Sequence, residues 1–392
     1  MASEFDDLPQ EERKLSDYLE ASNEKNVADL YAKQDVLSVS GDVGIVNQIE
    51  FQGRSFAGAS VSNYGIVNPG DVVYTKSPLS ANPFGIIKTN KGKAGIVSTL
   101  YAVYLPKKNT YPDFIQDYFS QDARVNKYLH PLVNKGAKND MKVSADNALK
   151  GFVWFPDYDE QKRISELFAD VERLITLHQR EHDKTVNIKK ALLEKMFAEE
   201  GENKPQIRFA GFTGAWEQRE FAELVSRAST MSDSKSDMPR VEYEDIIPGQ
   251  GQLNKNIYEK QSNKRGIHFE PGDVLFGKLR PYLQNWLAPD FTGIAVGDWW
   301  VLKPQDVNTE FICALLQSPQ YQRISNLSTG TKMPRSDWSV VARTSFAVPS
   351  QIYEQAQIGK TFSNLDRLIA QHQRKLSKLQ NIKKALLEKM FV

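Results

Sequence analysis

The chain has 392 residues, 25% charged and 40% hydrophobic, with Lys+Arg 50 set against Asp+Glu 49. At roughly 100–200 residues per domain this length holds two or three domains, each able to bury its own core. No apolar run approaches the ~18 residues of a membrane span, and the first residues are acidic (Glu4, Asp6, Asp7, Glu11, Glu12) where a secretory signal is basic. One cysteine, Cys313, excludes a disulfide framework and a cysteine-based zinc site. A soluble, cytoplasmic protein with no membrane partner is expected.

The near-zero balance hides an uneven distribution. Residues 1–50 carry four Lys/Arg against twelve Asp/Glu, whereas residues 51–150 carry thirteen against six. A localised basic segment is what a phosphate-contacting face looks like.

In chain order, Asn68-Pro69-Gly70-Asp71 is turn chemistry ahead of an alternating strand, Val72-Val73-Tyr74, and further strands follow at Gly95-Ile96-Val97 and Tyr101-Ala102-Val103-Tyr104. A helix near 112–129 and a loop, Lys135-Gly136-Ala137-Lys138-Asn139-Asp140, lead to a strand stopped by Pro156. The periodicity then predicts a long helix, with Ile164, Phe168, Val171, Ile175 and His178 spaced by alternating fours and threes. At 1.5 Å per residue, Ile164 to Phe197 extends ~50 Å.

The same order then recurs. Glu270-Pro271-Gly272-Asp273-Val274-Leu275-Phe276 matches the first turn and strand, and Gly293-Ile294-Ala295 with Trp299-Trp300-Val301-Leu302 matches the next two. A helix near 309–324 and Gly330-Thr331-Lys332 precede Pro349 and a second long helix. There the seam is expected at 358, 362, 365, 369, 372, 376 and 379, then 382, 386 and 390. Asn187 to Phe197 returns letter for letter as Asn381 to Phe391, an offset of 194 that also relates Glu160-Gln161 to Glu354-Gln355 and His178 to His372.

Four segments are therefore expected: globular 1–155, helical 156–200, globular 201–348 and helical 349–392. The fold class is α+β, an internal duplication with pseudo-two-fold symmetry. Short connections to the second globular segment suffice only if the helices run antiparallel, as a coiled coil. Two diverged heads on two retained shafts suggest two different targets and two copies of one partner.

These residues carry a family resemblance. Ile207-Arg208-Phe209-Ala210-Gly211-Phe212 with Trp216, Gly272-Asp273-Val274-Leu275-Phe276-Gly277-Lys278-Leu279-Arg280-Pro281-Tyr282, Thr329-Gly330-Thr331-Lys332-Met333-Pro334-Arg335, and the Lys-Lys-Ala-Leu-Leu-Glu-Lys-Met shaft motif resemble the specificity subunit of type I restriction-modification enzymes. The resemblance spans essentially the whole length. It implies two target-recognition domains that each read half of a bipartite, asymmetric site in double-stranded DNA. It also implies helical repeats that set the gap and dock two methyltransferase (modification) subunits, with restriction subunits joining to cut DNA. No cofactor is expected in this chain; S-adenosylmethionine, ATP and Mg belong to the partner subunits. Two departures stand out. The first unit joins the pattern only near Arg13, as a shortened start would, and the loop at 135–140 lacks the counterpart of Pro334-Arg335.

There is no Gly-x-x-x-x-Gly-Lys-Ser/Thr phosphate loop, and Asn82-Pro83-Phe84 is one proline short of an adenine-methyltransferase motif and has no glycine-rich cofactor loop. Pro156-Asp157 with Glu160-Gln161-Lys162 reads as acidic residues complementing a helix N-terminus rather than a nuclease centre. The five histidines form no metal-ligand spacing, and His178 and His372 read as a polar layer in the seam. Cys313 and the Trp299-Trp300 pair read as core. A non-catalytic DNA-recognition subunit is the leading expectation. A coiled-coil protein scaffold without DNA, or the specificity partner of a related bipartite system with a fused methyltransferase-nuclease, stays open beside it.

The expected DNA-contacting residues are Lys278, Arg280, Tyr282, Lys332 and Arg335 in the second unit and Lys76, Lys135 and Lys138 in the first. The expected partner-binding residues are the repeated Lys189, Lys190, Leu192 and Met196 with Lys383, Lys384, Leu386 and Met390. Their lysines are taken as outward-facing, because seam packing alone would conserve only the apolar positions.

Overall fold

The computed structural model describes residues 11–76, 78–79, 81–133, 143–235, 237–260, 263–327 and 333–391. Contacts divide the chain into two compact units, Met1–Ile175 with Lys378–Val392, and Thr176–Ser377. Both dividing points fall inside the long helices, Tyr158–Met196 and Ile352–Lys389, so each unit is closed by a stretch of both.

In the first unit a four-stranded antiparallel sheet runs in the order Leu19–Ala21, Tyr101–Pro106, Val72–Thr75, Ile87–Thr89. Its central strands are apolar, and Tyr74 and Tyr104 are fully buried against Phe114 of the helix Pro112–Tyr118. A separate pair, Glu11–Lys14 with Phe152–Phe155, leads into the first long helix.

The second unit repeats this sheet as Val225–Arg227, Trp299–Pro304, Val274–Gly277, Trp286–Leu287, and the lead-in pair as Glu217–Glu220 with Ser345–Val348. Its second four-stranded sheet, Met231–Asp233, Arg265–Phe269, Gly293–Val296, Arg240–Glu242, ends in a parallel pairing; in the first unit the same pairings are shorter, Gly65–Val67 with Gly95–Val97 flanked by the bridges Lys25–Gly65 and, parallel, Val36–Ile96. Trp299, Trp300 and Cys313 are buried, as the sequence suggests, and burial pushes the Cys313 thiol up, out of reactive range.

The Pro-Gly-Asp turns form as read. Gly70 and Gly272 sit at φ +91° and +97°, the left-handed corner a type II turn demands after proline. In each, the aspartate closes the turn: Asn68 N–H donates to Asp71 Oδ2 at 2.7 Å, and Glu270 N–H to Asp273 Oδ2 at 2.9 Å. The repeated glutamine of each helix start is also explained. Gln161 Nε2 donates to Pro156 O at 2.8 Å while its Oε1 accepts from Tyr111 N–H; Gln355 Nε2 donates to Pro349 O at 2.7 Å while its Oε1 accepts from Asn308 N–H. Each glutamine ties the proline stop to the start of the sheet-covering helix.

Within each unit the two helix stretches pack with residue numbers running in opposite directions. In the first unit Phe168 stacks on Phe391, with ring centroids 5.7 Å apart, and Glu172 pairs with Lys383. In the second, Phe197 lies 5.9 Å from Phe362, Lys189 pairs with Asp366, and His178 meets His372.

Two expectations fail here. Lys189 is not outward: it is 9% exposed and pairs with Asp366, also buried, while Lys383 is half-buried on Glu172. The seam does not shift to Ile382, which is 39% exposed. It keeps its step of four from 379 through Lys383 to 386 and 390, because a carboxylate waits opposite each lysine.

The histidine layer carries a pH dependence. His178 Nδ1 lies 3.2 Å from His372 Nδ1, so one ring must donate and the other accept, and a second proton removes the acceptor. Partial burial, then Lys375 and His372, hold the His178 imidazole below its ordinary 6.5. A histidine lowered on folding binds protons more readily unfolded, so its contribution is present above about pH 6.5 and fades as pH falls below it. Thermal melts from pH 8 to 5 should show that loss in the native chain and a smaller one in His178→Gln/His372→Gln. Equal slopes would contradict the assignment.

Candidate nucleic-acid interface

The two basic loops predicted from separate motifs are joined by backbone hydrogen bonds in the second unit. Strand Val274–Gly277 ends with Gly277 opposite Trp299, and a Cβ at Gly277 would lie 2.9 Å from the Tyr243 ring, which only glycine avoids. The chain leaves as Lys278 to Tyr282. Arg280 N–H donates to Pro334 O and Ser336 N–H to Lys278 O, both at 2.8 Å, and Leu279 pairs across to Arg335. Tyr243 Oη donates to Leu279 O from beneath.

Arg280 and Gln284 flank the short turn Pro281–Leu283 at φ +47° and +53°. Non-glycine residues pay steric strain there, and such strain concentrates at functional loops. Tyr282 stands out at 56% exposure. Half-buried Lys278 and Arg280 and exposed Tyr282 and Arg335 therefore sit on two loops joined backbone to backbone.

A residue not anticipated from sequence organises this patch. Asp298 accepts from Arg335 Nε at 3.2 Å and Nη2 at 3.1 Å, and Lys278 Nζ lies 3.8 Å from the same carboxylate. The Asp298 carbonyl accepts from Lys278 N–H at 2.9 Å. Nothing in the sequence marks Asp298, because its partners lie 20 and 37 residues away on other loops.

Other lysines of this unit are committed internally. Glu242 accepts from Lys260 at 2.8 Å and from Lys264, and Asp245 from Lys260 and from Lys255 at 2.9 Å. Burial pushes the Glu242 carboxyl up, but hydrogen bonds from Lys260 and Lys264 outweigh it and hold the group down at about 2. Lys260 keeps only 12% side-chain exposure, whereas Arg335 keeps 55%. Exposure separates a structural cation from one that can reach a phosphate or base edge.

In the first unit Lys76 is half-buried, and burial followed by the nearby Lys25 lowers its ammonium. Lys76 N–H donates to Leu100 O at 3.0 Å, as Lys278 does to Asp298. Lys135, Lys138 and Lys332 lie outside the described residues.

Of the residues expected to meet a partner, Lys190 and Lys384 are exposed. Leu192 and Met196 instead pack on the core of the second unit, and Leu386 and Met390 on that of the first. Among the described residues no group of three His, Cys, Asp or Glu could hold a metal, and no helix is long and apolar enough to cross a membrane.

Comparisons with known proteins bear on this patch. A crystal structure of a type I restriction-modification system S subunit from M. genitalium superposes with a TM-score of 0.56, covering 99% of this chain and 97% of that one at 11% identity, a likeness of fold alone. The HsdS subunit from Thermoanaerobacter tengcongensis matches over 100% of this chain and 99% of its own, with 15% identity and a TM-score of 0.45. Residues 216–381 match the model of the type I restriction modification DNA specificity domain, a stretch that contains Lys278, Arg280, Tyr282, Asp298 and Arg335.

Proposed function

We propose that the chain is the non-catalytic specificity subunit of a type I restriction-modification enzyme, reading a bipartite, asymmetric DNA site and scaffolding two methyltransferase subunits, with restriction subunits joining them. The observation that carries this is the joined patch of Lys278, Arg280, Tyr282 and Arg335 inside the stretch matching a DNA specificity domain. Arginine reads guanine edges bidentately, while lysine and tyrosine hold phosphates.

Bipartite reading is supported by the reciprocity of the helix contacts. Phe168–Phe391 and Glu172–Lys383 are the offset-194 images of Phe362–Phe197 and Asp366–Lys189. Reciprocal contacts of this kind are what a duplicated chain with an antiparallel helix pair produces. Each unit would then carry one reading head, with heads 1–155 and 201–348 on shafts 156–200 and 349–392. S-adenosylmethionine, ATP and Mg would act on the partner subunits.

A two-fold arrangement presents the repeated outward residues twice. Lys190, Glu194 and Lys195 are exposed, as are Lys384, Glu388 and Lys389, whereas Lys189 and Lys383 serve the helix pair. Two copies of one modification subunit fit that surface.

Titrating salt against binding to random duplex tests the DNA reading. Log affinity should fall linearly with log salt, with a slope near −0.9 per phosphate neutralised. A flat profile would contradict DNA reading and favour a protein scaffold. The purified chain should also show no methyltransferase, nuclease or ATPase turnover.

A further inference from the structure

We propose that Asp298 is a positioning residue for base reading, fixing the guanidinium of Arg335 so that it meets one base pair of the half-site read by the second unit. The proposal rests on the DNA-reading function above.

A carboxylate in a DNA-facing patch repels phosphate, so its presence requires a reason. The turn itself does not supply one. In the first unit the same backbone contact, from Lys76 N–H, is accepted by Leu100, which is 60% exposed. Leucine serves that geometry, so the carboxylate of Asp298 is not required to build it.

What the carboxylate does is hold cations. It takes the Nε and Nη2 positions of Arg335, the side edge of the guanidinium, and draws Lys278 Nζ to 3.8 Å. A carboxylate on that edge fixes the plane and azimuth of the group. Guanine O6 and N7 are read by two parallel N–H donors, a fork whose value depends on that plane being set beforehand. Arginine otherwise carries large rotamer freedom, which a buttress removes before DNA arrives.

The anchor of Asp298 is itself firm. Gly297 adopts φ +98°, and Trp299 N–H donates to Gly297 O at 2.9 Å. Trp299, 1% exposed, roots the turn in the core.

The experiment compares Asp298→Ala, Asp298→Asn, Arg335→Ala and the Asp298→Ala/Arg335→Ala double variant. Each is the full-length chain together with the methyltransferase subunits proposed for it. The readout is selection from a duplex pool randomised across both half-sites, with a salt titration on unselected duplex. Asp298→Ala should lose about tenfold discrimination at one base pair of the second half-site and leave the first half-site's profile unchanged. It should also bind random duplex more tightly, with a salt slope steeper by about 1, because a cation is released to phosphate. In the Arg335→Ala background the Asp298 substitution should change that base pair no further. Asp298→Asn, which keeps shape but not charge, should fall between. If Arg335→Ala flattens a base pair while Asp298→Ala leaves it intact, the positioning role is wrong. Loss spread over both half-sites would mean that Asp298 is only structural. A native complex that enriches no sequence at all would instead overturn the DNA-reading function on which the proposal stands.

Discussion

Replacing Arg208 with alanine is expected to destabilise the second unit by about 3–5 kcal/mol, because it leaves a buried carboxylate without its cation. Arg208 grips Glu354 through Nε at 2.6 Å and Nη2 at 2.8 Å, and Trp216 Nε1 donates to the same carboxylate at 3.2 Å. The Glu354 side chain is 1% exposed, so water cannot replace the lost donors. Denaturant unfolding of the full chain reads the effect as a fall in midpoint at nearly constant m-value. The pair Arg208→Met/Glu354→Leu should recover most of the loss, since the burial penalty disappears with the charge. A single-variant loss under about 1 kcal/mol would contradict the burial argument. The same network explains the Ile-Arg-Phe…Trp opening of the second unit, which clamps the start of the second long helix. The repeat-related Glu160 is only half-buried, and burial together with Asp157 raises its carboxyl against the pull of Arg163.

Truncation of Arg335 to alanine should cost about 1–3 kcal/mol of discrimination at one base position of the half-site read by the second unit. Lys278→Ala should instead weaken binding across sequences and lessen the salt slope by about 1. The distinction follows from chemistry: a planar fork matches a guanine edge, while an ammonium acts as a point charge on phosphate. Competition binding with single-base variants of the site separates the two. An equal loss at both half-sites would show that these residues do not belong to one reading unit.

Much of this architecture was legible in the sequence because it depends on local chemistry. The Pro-Gly-Asp turns need only a left-handed glycine and a carboxylate three residues from the N–H it caps, and both repeats supply them. The long helices follow from a four-three apolar rhythm, and the basic loops from their Gly/Pro surroundings. Lys189 and Lys383 were misplaced for a definable reason. An unbroken four-three step runs through both of them, 185–189–192–196 and 379–383–386–390, but their polarity argues for the surface and, in the second helix, for Ile382 in the seam instead. What draws them inward is a carboxylate from elsewhere in the chain, Asp366 for Lys189 and Glu172 for Lys383. Burial raises the Asp366 carboxyl, and Lys189 opposes that shift. Asp298 escaped for the same reason: its role is defined only where two distant loops meet. Pairings across long separations are set by tertiary packing, and single-sequence periodicity cannot see them.

Sequencing methylated adenines in cells that carry the full complex tests the central claim most directly. The account predicts one modified site composed of two specific segments separated by a fixed run of unspecified bases. Substituting Arg335 should relax the segment read by residues 201–348 and leave the other segment and the spacer unchanged. A modified site that is continuous, or one whose two segments both change when Arg335 is replaced, would contradict it.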